Sequence, residues 1–307
     1  MDPESLQKEF DHIFEFSEII DTLEQNKDVC NKNSDESNKV RKLGNHLFQS
    51  YCIKHDKELH RTVLSSYTKS IAFAPVDSEE LAFGYSNRSA LLLHLFQFEN
   101  CLIDIDRALK IAKSEKLKEK LVSRKANCLK LQKEYIGKHP EIQNGQFKRP
   151  VIKEYSKEIP SASECVTLEF DEIMGSRLIA TRDIEVGEIV IIEEANTAML
   201  IQQQMYVYCA HCLNFTMNAL PCEFCPFAVY CNEECKEAAW KKYHDMECPM
   251  LQYFYYHLFE NKEDIVHFLL ASKIFITALK REGLESLIQE MKNIHDKSSE
   301  ILMHFFK

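Results

Sequence analysis

The sequence predicts a mainly α-helical chain with a small β region, and three observations carry that expectation. Glycine (7) and proline (8) are scarce among 307 residues, so breaker signals are few and helices have room to run. Apolar residues recur at helical spacing through most of positions 1–136 and again beyond 250. Between them, Val166 to Phe170 and Glu188 to Ile192 shift to short extended pieces, with Asp183-Ile-Glu-Val-Gly-Glu188 turning between them. At about 150 residues per domain the length suggests roughly two domains. A hydrophobic fraction of 45% is ample for their cores.

The elements follow in order. Leu6, Phe10, Ile13, Phe14, Ile20 and Leu23 lie at helical spacing, and Cys30 to Asn38 is polar, so residues 1–38 read as an N-terminal helix and loop. Residues 39–136 read as helix after helix with internal repetition. Tyr85-Ser-Asn-Arg-Ser-Ala90 is followed by Phe98, Cys101, Ile105 and Ala108. Ser123-Arg-Lys-Ala126 is followed by Leu129, Leu131 and Tyr135, with Asn87 and Arg124 in equivalent places. An earlier unit begins at Arg41-Lys-Leu-Gly-Asn45, carries an insertion around Lys54 to Arg61, and ends with Tyr67, Ile71, Ala72 and Pro75. A period in the mid-thirties with small residues at the helix crossings resembles tetratricopeptide (TPR) repeats, about three of them, which implies a TPR-like α-superhelix. Gly137, Pro140, Gly145, Pro150 and Pro160 mark 137–165 as a linker. A β region (166–208), a cysteine-rich segment (209–248) and a helical tail (249–307) complete the order. In the tail Leu284, Leu287, Ile288, Met291 and Ile294 keep helical spacing.

A net charge of −10 makes nucleic acid and anionic membrane poor partners. Ile265 to Leu279, the longest nearly apolar stretch, is too short and too polar to span a bilayer. The opening residues are charged and carry no secretion signal, so the expected location is cytoplasmic and nuclear. In that reducing setting, seven of the twelve cysteines falling within 209–248 reads as metal ligation. Cys30, Cys52, Cys101, Cys128 and Cys165 read as small hydrophobes or inert thiols.

The cluster has four pairs: Cys209-x2-Cys212, Cys222-x2-Cys225, Cys231-x3-Cys235 and His244-x3-Cys248. Eight thiolate or imidazole ligands suffice for two tetrahedral zinc sites. His244 and Cys248 share a helix face, while His211 and Tyr243 read as non-ligands. Tyr230-Cys-Asn-Glu-Glu-Cys235 and Trp240-Lys-Lys-Tyr-His-Asp-Met-Glu-Cys248 resemble the second half of the MYND zinc finger. The resemblance implies interleaved ligands: Cys209, Cys212, Cys231 and Cys235 on one zinc, Cys222, Cys225, His244 and Cys248 on the other. Both sets are closed, so the zinc ions are structural. Three lysines against six acids, with seven thiolates, argue for a protein partner over nucleic acid.

Gly175-Ser-Arg-Leu-Ile-Ala180 and Arg182 to Glu193 resemble the start of a SET methyltransferase domain, where such a stretch lines part of the S-adenosylmethionine pocket. Gly175 and Arg177 are thereby implied as cofactor contacts, although Ser176 stands where the family has arginine. A partial SET β-region with an inserted MYND finger, preceded by TPR-like helices and followed by a helical SET insert, resembles the TPR-bearing branch of the SMYD family of protein-lysine methyltransferases. No Asn-His-Ser-Cys-like segment follows Cys248, so no catalytic residue is assigned. The resemblance implies that the full-length protein binds S-adenosylmethionine, and that this chain is a truncated form lacking the catalytic core.

Arg41 and Asn45 share a helix face, as do Lys120 and Arg124, with Asn87 at the matching place between them. Cations and amides along one concave face could hold a peptide's terminal carboxylate. The set resembles the clamp of chaperone-binding TPR domains, which grip the Glu-Glu-Val-Asp tails of Hsp90 or Hsp70, with Arg41 replacing the usual lysine. The alternative function is therefore a non-catalytic adaptor, with a groove for chaperone tails and a finger for other proteins.

Overall fold

The computed structural model describes residues 32–54, 59–138, 151–171, 175–193, 195, 197–253 and 262–289. The apolar pattern of residues 1–30, and Met291 and Ile294, lie outside them. The chain divides into two compact units, one of residues 1–135 with 199–307 and one of residues 136–198.

The first unit opens with α1 (Ser34–Lys54), whose first five residues lie inside the expected loop. The polar run that suggested a loop is a helix cap. Asn33 Oδ1 accepts from the backbone N–H groups of Asp35 (2.8 Å) and Glu36 (3.0 Å), and those two acids favour the positive end of the helix dipole. Helix α2 (Leu59–Phe73) pairs with α1, and α3 (Glu79–His94) pairs with α4 (Phe98–Ile111). Small residues set both close crossings. A Cβ on Gly44 would lie 2.8 Å from the Tyr67 ring, and one on Gly84 would lie 2.7 Å from Ile71 Cγ1. Glu79, at the start of α3, accepts from the backbone N–H groups of Lys113 and Ser114 and so anchors the entry to α5 (Glu115–Lys138).

The third repeat differs from its expected form. Ser123 to Ala126 and Leu129 to Tyr135 fall on one continuous helix, because no glycine or proline interrupts 115–136. Two helix pairs and a fifth long helix are thus present among the described residues. Their core contains Ile71, Tyr85, Leu92, Ile105 and Leu121. Cys101 and Cys128 are buried in it, where burial pushes the Cys101 thiol far up and leaves it inert.

The finger packs directly on these helices. Arg88, wholly buried, pairs through Nε and an Nη with Asp104 (2.6 and 2.8 Å) and donates to the Ala219 carbonyl (3.0 Å). Arg107 donates to the Asn218 carbonyl (2.6 Å), and the Phe73 ring meets Phe227 edge-on. Residues 199–208 join this unit, with Met205 and Tyr206 packed beside Ala72, Phe73 and Val229. Helix α6 (Glu233–Ala239) leads through a wider π-turn (Trp240–His244) into α7 (Asp245–Tyr253), against which α8 (Lys262–Glu282) packs. No helix among the described residues is long and apolar enough to cross a membrane.

The second unit is built on one antiparallel ribbon. Strand β1 (Val166–Asp171) pairs with β2 (Gly175–Ala180), from Val166 opposite Ala180 to Asp171 opposite Gly175. Its small core joins Ala162, Cys165 and Val166 to Ile159 and Val190. Part of the expected linker, residues 151–165, therefore packs as structure. Glu188 to Ile192 forms no continuous strand. Among the described residues only Ile191 of this stretch bridges, to Ala162, just after the turn at Gly187 (φ 86°).

Candidate metal centre and peptide groove

The eight predicted ligands assemble in two groups with the expected interleaving. Cys209, Cys212, Cys231 and Cys235 form one, and Cys222, Cys225, His244 and Cys248 the other, with the ligand atoms of each within 4.8 Å of one another. Local structure makes each corner. Strand β3 (Leu220–Pro221) pairs with β4 (Val229–Tyr230), and the Cys222 N–H donates to Ala228 O, so Cys222 and Cys225 sit in the turn between the strands. Asn232 caps α6 by accepting from the Cys235 N–H (2.8 Å), which turns Cys235 back toward Cys231.

The spacings fit zinc. A tetrahedron with Zn–S bonds of about 2.3 Å has S···S edges of about 3.8 Å, and replacing one sulfur by imidazole nitrogen shortens an edge to about 3.6 Å. Cys212 and Cys231 sulfurs lie 3.7 Å apart, Cys222 and Cys248 3.9 Å, and Cys225 Sγ lies 3.6 Å from His244 Nε2. On its other side, His244 Nδ1 lies 3.0 Å from Glu247 Oε2. Nδ1 then carries the proton and Nε2 is free to bind metal. Burial pushes the Glu247 carboxyl up, but the His244 hydrogen bond and nearby Lys273 outweigh it, and the group lies below its ordinary range. Bound there, zinc would supply cross-links between distant segments rather than chemistry, because all four positions on each ion belong to the protein. His211 and Tyr243 stand aside. His211 stacks on Tyr243, whose hydroxyl donates to Ala210 O.

Beside the second group, Phe224 and Trp240 stand 5.1 Å apart and remain partly exposed. They wall a cavity of about 250 Å³ with Tyr230 and His244 beneath.

Of the five expected groove residues, Asn45 and Asn87 meet by a hydrogen bond, Asn45, Arg41 and Arg124 lie about Tyr67, and Lys120 sits one turn before Arg124. Asn45 Oδ1 accepts from Asn87 Nδ2 (2.8 Å) and from the Tyr67 hydroxyl (3.0 Å), tying α1, α2 and α3 together. An Nη of Arg41 donates to Asn38 Oδ1, its guanidinium lies 5.2 Å from the Phe83 ring centre, and its buried Nε has no hydrogen-bond partner. Arg124 reaches α3, where one Nη donates to Ser86 O (2.5 Å) and Ser89 Oγ (2.9 Å). Burial lowers the Arg124 and Lys120 pKa values, and repulsion from Arg124 lowers Lys120 further. Burial also lowers Arg41, partly offset by Glu80 and Tyr67. None of these three cations forms a salt bridge among the described residues.

The implied cofactor residues lie on the β1–β2 ribbon. Gly175 has the left-handed φ of 73° that favours glycine, and Arg177 pairs with Glu169 across the strands (2.8 Å). Positions 176–180 are exposed, and nothing lies within 4 Å of a Cβ built on Gly175, so the described residues enclose no cofactor wall there.

Sequence reasoning missed Tyr67, Phe83 and Ser89 in the groove, and Glu247 behind His244. Only Glu247 had a local signal, three positions from a ligand on the same helix face.

Residues 209–248 match the family model of the MYND finger. The chain is similar to proteins named protein-lysine N-methyltransferase SMYD4. It is 26% identical to the one from Homo sapiens, with 72% of this chain and 35% of that protein covered. Identity to the Mus musculus protein is 28% (71% and 34% covered), and to the Pongo abelii protein 27% (60% and 31%). The chain thus spans about a third of the length of these relatives. No solved structure matches.

Proposed function

We propose that this chain, similar to SMYD4 protein-lysine methyltransferases and carrying a MYND finger, is the partner-binding part of an S-adenosylmethionine-dependent protein-lysine methyltransferase of the SMYD family. Recognition is the task its own residues support. The helical groove takes the acidic C-terminal tail of a protein, with the tails of Hsp90 and Hsp70 as the expected class. The finger, through the cavity beside Phe224 and Trp240, takes a second protein segment. Methyl transfer is inferred from the activity of the similar proteins and from the likeness of Gly175 to Ala180 to a SET start. Gly175 and Arg177 are its proposed cofactor contacts. The expected setting is the cytoplasm and nucleus, where the cysteines stay reduced and metal-bound.

The observation that carries this reading is the groove. Burial disfavours the charge on Arg41, Lys120 and Arg124, Arg124 repels Lys120, and none of the three has a carboxylate in salt-bridge contact among the described residues, conditions an anionic ligand would relieve. The amide of Asn45 has its oxygen fully engaged, which leaves its N–H groups to donate. A terminal carboxylate, with acidic side chains behind it, supplies the matching acceptors.

Titration calorimetry with a peptide ending in Glu-Glu-Val-Asp tests the proposal. Binding in the micromolar range is expected, weakened by salt and by amidating the peptide's C-terminus. Lys120→Ala with Arg124→Ala should abolish it, and unchanged binding by that double variant would refute the clamp. Titration of S-adenosylmethionine into the same zinc-loaded chain tests the cofactor contacts independently.

A further inference from the structure

The second metal group carries a charge that its four ligands do not balance. Three thiolates around one zinc dication leave one net negative charge, and the Glu247 carboxylate behind His244 adds another. Both lie below the surface. Cys222 and Cys248 are 2% exposed, His244 is 1% exposed, and the Glu247 side chain is 12% exposed. Buried charge of one sign is strongly unfavourable unless a counter-charge accompanies it.

The counter-charge comes from outside the finger. Lys273, on α8, is only 6% exposed. Its ammonium lies 4.0 Å from Glu247 Oε1 and 3.9 Å from the centre of the Tyr243 ring. Tyr243 precedes His244, and its hydroxyl donates to the carbonyl of Ala210, between Cys209 and Cys212. About two turns further along α8, Lys280 pairs with Asp245, the residue after His244. Lysine is rarely buried without a paired acid. Here its burial is explained by what it faces, a carboxylate already engaged to a metal-ligand histidine.

We propose that Lys273 is a positioning residue of the Cys222–Cys225–His244–Cys248 zinc site: acting through Glu247, it holds His244 with Nε2 toward the metal and neutralises part of the buried negative charge. Helix α8 is then part of the metal centre although none of its residues is a ligand, and the zinc finger is complete only with a helix beyond its last cysteine.

Cobalt(II) substitution of the full chain separates the two sites, because a set of four thiolates and a set of three thiolates with one imidazole differ in their d–d absorption. Release to a chelator is then followed at each site in wild-type, K273M, K273R and E247Q proteins. K273M should speed release from the histidine-containing site by about 10-fold or more, in line with other outer-shell changes, and leave the all-cysteine site unchanged. K273R should restore most of the wild-type behaviour, and K273M combined with E247Q should release no faster than E247Q alone. Wild-type rates in K273M, or equal acceleration at both sites together with a lower melting temperature, would reduce Lys273 to ordinary packing. Should K273M not fold, charge balance requires that adding E247Q restore folding, and failure of that rescue overturns the proposal.

Discussion

Asn45 shows how a single amide can be given a direction. Its oxygen accepts from both Tyr67 and Asn87, and a phenol hydroxyl in that position fixes which end of the amide faces the proposed groove. Tyr67→Phe keeps the ring against Gly44 and removes only the donor. We expect binding of the Glu-Glu-Val-Asp peptide to fall about 2- to 10-fold, the worth of one hydrogen bond, with little change in melting temperature. Calorimetry and a thermal melt of the same protein check both halves. Asn87 was legible in the sequence because it shares its repeat position with Arg124. Its neighbour Arg88 was not. Adjacent polar residues on a helix point about 100° apart, and sequence alone does not say which one the fold buries. Tyr67 was illegible for a different reason, since its partner lies 22 residues away on another helix.

At the scale of elements, α2 packs against α1 and α3 through the absence of a side chain at Gly44 and Gly84. Gly84→Ala places a methyl 2.7 Å from Ile71 Cγ1, within a fully buried cluster. Urea denaturation should show a loss of about 1–3 kcal/mol, the usual cost of overpacking, despite alanine's better helix propensity. In the β unit, Arg182 closes the turn before Gly187 by donating to Glu188. That hydrogen bond, chiefly, holds the Glu188 carboxyl down at about 2. A depressed acid contributes its stability above its ordinary pKa and loses it as the proton returns. The turn should therefore stay closed above about pH 5 and open progressively from about pH 4.5 toward 2, seen as loss of amide protection, relative to the intrinsic exchange rate, at Glu185, whose N–H also donates to Glu188. Helix existence was well marked here by apolar spacing, whereas helix limits were not. The cap at Asn33 and the unbroken α5 both arise from one or two residues whose roles depend on neighbours. The strand expected at 188–192 failed because extended chain becomes a strand only when a partner supplies the ladder.

For the first unit as a whole, Arg88 is the joint. It bonds at once to α4 through Asp104, to α2 through Thr68 and to the finger through Ala219 O. Arg88→Ala would leave Asp104 buried with only Arg107 beside it, and about 3–5 kcal/mol of stability should be lost. The loss should appear in helical circular dichroism and in zinc retention at the same denaturant concentration, because the helices and the finger share the residue. The sequence announced the finger and the repeats separately, each by its own periodicity, and nothing in either pattern announced their contact.

That contact has a consequence in time. Arg88 and Ala219 are 131 residues apart along the chain. At about 5–20 residues per second, a ribosome adds Arg88 roughly 7 to 26 seconds before it makes the carbonyl that Arg88 awaits. Through that interval Phe73 lacks its edge-on partner Phe227. Transiently exposed apolar surface of this kind is an aggregation liability, and here the arrival of the finger, rather than the closing of any helix, removes it.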